Sequence, residues 1–98
     1  MFISSGSVNV TTTATLLASA KQSRDSILIQ NNSSSIPLYF GTDEDVTAIG
    51  GGVIPVGQSF SDSGASCYKG AWYGITESST VDARVTEAYL IKIGGAPL

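Results

Sequence analysis

Four groups of residues in this 98-residue chain have types and spacing that invite chemistry. Asp43-Glu44-Asp45 is the one acidic cluster, and carboxylate oxygens suit a hard cation such as calcium. It lacks the spacing of a calcium loop and has few further oxygen ligands close by, so it reads as a solvated loop tip. Gly50-Gly51-Gly52 suggests a phosphate cradle, but such a loop needs a following helix and usually a lysine. Val53-Ile54-Pro55 follows instead and reads as strand, so the glycines predict a sharp loop with positive φ. Cys67, the only cysteine, can form no intrachain disulfide, and as a nucleophile it would need an activating base. The chain has no histidine, the commonest general base and metal ligand, and Cys67 reads as a small, half-buried residue. Trp72 with Tyr68, Tyr73 and Tyr39 offers aromatic faces on which a sugar could stack, with core or interface packing as the plainer reading. No catalytic set, metal site or cofactor is expected, and the protein reads as a non-enzyme.

The elements that must carry these residues follow a period of two. Val81, Ala83 and Val85 alternate with Asp82, Arg84 and Thr86, which predicts a strand with one buried and one wet face. Ile36, Leu38 and Phe40 alternate with Pro37 and Tyr39. Ala71, Tyr73 and Ile75 alternate with Trp72 and Gly74, which predicts a strand covered on both faces. On such a strand Trp72 and Tyr73 point opposite ways, one to the core and one to the surface or an interface. Ile27-Leu28-Ile29 fits a central strand. Val8 and Val10 open an N-terminal strand that continues into Thr11-Thr12-Thr13, and Ala14–Ala20 fits one helical turn or an irregular strand. Turn signals at short intervals, and Pro37 and Pro55 at edges or strand starts, complete an all-β pattern. Seven or eight short, mostly antiparallel strands predict one β-sandwich or jelly-roll domain over residues 1–98.

Charged residues make up only 13% of the chain, half the usual share, while serine and threonine contribute 24 residues. A hydrophobic fraction of 42% argues against a disordered serine-rich linker. Burial under other chains and a plain β surface rich in hydroxyls both fit this composition. The net charge is −3, and Lys21, Arg24, Lys69, Arg84 and Lys92 are scattered singly, so no nucleic-acid partner is expected. Arg24 is expected in a solvated or structural role. No apolar run is long enough to span a bilayer, so no membrane partner is expected. Residues 1–10 lack the pattern of a secretory signal, which predicts synthesis in the cytoplasm.

The order of motifs is distinctive. Arg24 leads into Ile27-Leu28-Ile29-Gln30-Asn31, followed by Ile36-Pro37-Leu38-Tyr39-Phe40-Gly41, Val46-Thr47, the glycine step, Pro55-Val56-Gly57, Trp72-Tyr73-Gly74-Ile75 and Ala83-Arg84-Val85-Thr86-Glu87. Over residues 8–87 this resembles small virion proteins of tailed bacteriophages, of the capsid decoration (cement) and head-fibre type. The resemblance implies a jelly-roll subunit, a homotrimer, bound to the major capsid protein on the outside of the virion and made in the host cytoplasm. It transfers no catalytic residue and no shell-contact residue. A phage tail, connector or baseplate component is the nearest alternative, and a carbohydrate-binding module is the next.

The chain supplies its own interface candidates. Met1, Phe2 and Ile3 begin an apolar arm, residues 1–5, expected to precede the first strand and dock on another subunit. Leu90, Ile91 and Ile93 are apolar and serve equally well as a last strand on their own domain, with residues 94–98 expected as a flexible tail. Trp72 and Tyr73 complete the set.

Overall fold

The computed structural model describes residues 2–89. Eight strands form in this span: β1 (Phe2–Val10), β2 (Thr15–Ala18), β3 (Arg24–Asn31), β4 (Leu38–Gly41), β5 (Gly52–Ile54), β6 (Ser59–Ser63), β7 (Trp72–Ile75) and β8 (Val81–Tyr89). They build two four-stranded antiparallel sheets, ordered β1-β8-β3-β6 and β2-β7-β4-β5. Within the sheets β1 pairs β8, β2 pairs β7, β3 pairs β6 and β4 pairs β5. This is one long hairpin rolled onto itself, with the β4–β5 connection at its tip, and it gives the two-sheet arrangement of a jelly roll.

Alternation places the core between the sheets. Ile27, Ile29, Val81, Ala83 and Val85 from the first sheet meet Leu17, Ala18, Leu38, Ile54 and Trp72 from the second. Phe40, Phe60, Tyr68 and Trp72 form an aromatic cluster inside this layer, with ring centroids 4.6–5.9 Å apart. Trp72 is 6% exposed, and its indole N–H has no hydrogen-bond partner among the described residues.

Several expectations need correction. The first strand starts at Phe2 and ends at Val10 rather than running on through Thr11–Thr13. Phe2–Ser5 are therefore strand residues paired with Thr86–Tyr89 of β8, not a free arm. Of the two readings for Ala14–Ala20 the irregular strand holds and the helical turn does not: β2 lies there, and its pairing with β7 shifts between Leu16 and Ala18. The bulge turns both Leu17 and Ala18 inward, which breaks the period of two and mimics a helical pattern. Gly50, Gly51 and Gly52 do not have positive φ; that conformation occurs at Gly57, Gly64 and Ser79. The glycine step is required by close approach instead. A Cβ on Gly51 would stand 2.9 Å from the carbonyl oxygens of Phe40 and Thr47, and one on Gly52 would stand 2.7 Å from the Phe40 ring.

Candidate functional site

The two ends of β3 hold the frame. Arg24 is 1% exposed, and each guanidinium nitrogen donates. Its Nε bonds Glu87 at 2.7 Å, Nη1 bonds the carbonyls of Tyr68 (2.9 Å) and Gly70 (2.8 Å), and Nη2 bonds that of Ser19 (2.8 Å). Lys69 donates back to the Arg24 carbonyl. Lys21 adds a second cation 3.7 Å from Glu87 and lies 3.9 Å from the centre of the Tyr89 ring. One side chain thus ties the β6–β7 connection and the end of β2 to the first sheet. At the other end Asn31, 2% exposed, donates to the carbonyls of Ile36 and Ile54 and accepts from the Ser33 N–H. Arg24 and Asn31, the terminal residues of the β3 motif, clamp opposite ends of the sandwich. Arg24 is structural and buried, with four of its five N–H donors bonded.

The surfaces that remain are the two outer sheet faces. On the second sheet, register sets Leu16 opposite Tyr73, Tyr73 opposite Gly41, Ile75 opposite Tyr39, and Tyr39 opposite Val53. Directly opposed residues have Cβ atoms about 4.5–5.5 Å apart, so Leu16, Tyr73, Ile75, Tyr39 and Val53 form one continuous patch. Leu16 is 47% and Val53 53% exposed, and the three others are half-buried. No member of the patch is charged. At its rim the Tyr39 hydroxyl donates to Glu77 at 2.7 Å. That bond, and the carboxylate charge behind it, raise the Tyr39 phenol above its ordinary pKa. The connection that leaves the sheet after Gly41 carries the acidic run 43–45 and the 99%-exposed Ile49.

The outer face of the first sheet is built differently. Ser5 and Ser7 of β1, Asp82, Arg84 and Thr86 of β8, Ser26 and Gln30 of β3, and Ser59, Ser61 and Ser63 of β6 point outward, with Ile3, Leu28 and Ala88 as apolar exceptions. Arg84 and Asn32 both bond Asp82, which lowers the Asp82 pKa and raises that of Arg84. This is the face of a sheet adapted to water.

The candidate residues sort accordingly. Trp72 faces the core, so of that adjacent pair it is Tyr73 that is presented, inside the apolar patch. The four aromatic residues do not form one sugar platform: Trp72 is buried against Tyr68, whereas Tyr39 and Tyr73 open on the outer face. Phe2 and Ile3 lie on opposite faces of β1, 50% and 71% exposed. Met1, Leu90, Ile91 and Ile93, and the tail 94–98, lie outside the described residues. Cys67 is buried, and burial pushes its thiol pKa up, the wrong direction for a nucleophile. Asp43 accepts from the Asp45 N–H in its own turn. Among the described residues no three His, Cys, Asp or Glu side chains gather as metal ligands, and no helix is long and apolar enough to cross a membrane. Leu16, Ile75 and Val53 are not among the interface residues the sequence singles out, and Tyr39 enters there only as a stacking aromatic. Only the apolar residues on both faces of β7 signalled the patch. Compared with protein-family models, curated proteins and solved structures, the chain matches none.

Proposed function

We propose that this protein is a non-enzymatic structural component of a tailed-phage virion that attaches to the outside of the capsid through the outer face of its second sheet. The observation that carries the attachment is the uncharged patch Leu16–Tyr73–Ile75–Tyr39–Val53 on a sheet face that a free domain would fill with polar residues. The virion assignment rests on the order of sequence motifs, and the jelly-roll strand order agrees with it. Tyrosine is suited to such a role, since its ring supplies contact area and its hydroxyl a polar anchor. The work done is mechanical. Each copy covers apolar surface on the shell, and many weak, symmetric contacts add through avidity. The hydroxyl-rich first sheet then faces solvent.

Co-sedimentation of the purified protein with virions or emptied capsids of the encoding phage tests this reading. Saturable binding that Tyr73→Asp abolishes supports it. No binding with native shells present overturns it. Binding to tails or baseplates alone moves the protein to the alternative structural role.

A further inference from the structure

β1 leaves one edge of the first sheet open. Its register with β8 runs without a break from Phe2↔Tyr89 to Val10↔Val81, and no described strand pairs on its other side. The nine residues include no charge, no proline and no bulge, the devices that normally blunt an edge. Phe2, Ser4 and Gly6 point to the inner side of the sheet yet are exposed, so the second sheet does not cover this half of the strand.

Two complementary features share that uncovered face, four residues apart. Phe2 is 50% exposed, its ring held against Tyr89 at 5.9 Å. Gly6 has nothing within 4 Å of where a Cβ would stand. The space beside it is a cleft of about 210 Å³ lined by Ser4, Gly6, Val8, Leu17 and Val85, with Glu87, already paired to Arg24, at its wall. One strand therefore carries both a knob and a hole.

We propose that β1 is a dimer interface: two copies pair their β1 strands antiparallel about a two-fold axis at Ser4, with Phe2 of each copy lying over Gly6 of the other. In this register Ser4 meets Ser4, Ile3 meets Ser5 and Phe2 meets Gly6. Opposed Cβ positions about 4.5–5.5 Å apart bring each ring over the facing glycine, a known compensation for glycine in a sheet. The knob and the hole on a single strand select a second copy. Although the chain carries net charge −3, neither strand brings a charge to the seam, so no like charges meet. The contact is isologous, closes on itself, removes both open edges and joins two four-stranded sheets into one of eight strands. Five paired residues a side form a small interface, so the dimer is weak and concentration-dependent.

Light scattering and sedimentation velocity over a concentration series, without any shell, test this independently of capsid binding. A monomer–dimer equilibrium is expected. A Cβ at Gly6 meets nothing within 4 Å, so Gly6→Val, whose methyls enter the cleft, should fold normally by circular dichroism and weaken dimerisation at least tenfold; Phe2→Ser should do the same. Ser4→Cys should give a disulfide-linked dimer under mild oxidant, and Ser7→Cys, three residues from the two-fold axis and so far from its own counterpart in this register, should not. A monomer at every concentration, a trimer as the phage resemblance implies, or a dimer indifferent to Gly6→Val and cross-linked at position 7 rather than 4 would each overturn the proposal.

Discussion

The two outer sheet faces share one core and one rolled hairpin, yet they are written in different residues. The first presents serine, threonine and a bonded Asp82–Arg84 pair around Ile3, Leu28 and Ala88; the second presents Leu16, Tyr73, Ile75, Tyr39 and Val53 with no charge among them. Packing between the sheets asks only for the inner faces to be apolar, so the outer faces are free to differ. The polar one matches water, whereas the apolar one costs solubility without adding to the core. The proposed attachment to the shell would cover this patch.

The comparison depends first on a frame common to both faces. Arg24→Met removes the partner of Glu87 and the donor to three carbonyls, and should destabilise the fold by about 3–5 kcal/mol, the scale of breaking a buried ion pair. Chemical denaturation checks this, and both faces should be lost together. On the folded protein the faces should then separate. Tyr73→Ala should weaken shell binding by about 2 kcal/mol or more, as a central aromatic contact does, in a titration against emptied capsids. Ser61→Lys, on the hydroxylated face, should leave binding unchanged and stability within about 0.5 kcal/mol, as exposed positions do. Equal losses from Tyr73→Ala and Ser61→Lys would erase the distinction between the faces.

The smallest effect is a titration at the patch rim. The neutral Tyr39 phenol donates to Glu77, so its folded pKa lies above the ordinary phenol value. The contribution of that bond is fully present below the unfolded phenol pKa of about 10 and is lost as pH rises through the higher folded value. Ultraviolet titration should show one late tyrosine that Glu77→Gln moves earlier.

Much of the frame was legible in the sequence because burial on one face leaves a period of two. β8 shows it in Val81, Ala83 and Val85; β3 was legible instead as the continuous apolar run Ile27-Leu28-Ile29, of which Ile27 and Ile29 face the core while Leu28 is half-exposed on the outer face. The first half of β1 was not legible, because Phe2–Ser7 are wet on both faces and only their ladder with β8 makes them a strand. β2 was legible only as one of two alternatives, an irregular strand or a helical turn, because its bulge breaks the period of two. For Arg24 the sequence leaves a solvated and a structural role open, because its three carbonyl partners come from backbone distant in sequence or across a turn, and backbone groups have no letter. The patch was half visible. Tyr73 and Ile75 lie two apart on one strand, but Leu16 and Val53 join them only through cross-strand register, which composition and periodicity leave open.

A cryo-EM map of the intact phage particle tests the central claim most directly. The account predicts density for this sandwich on the outer capsid surface, with Tyr73, Tyr39 and Val53 of the second sheet against the shell and the serine-rich first sheet toward solvent. Density attached through the hydroxylated face, or absent from the capsid, would contradict it.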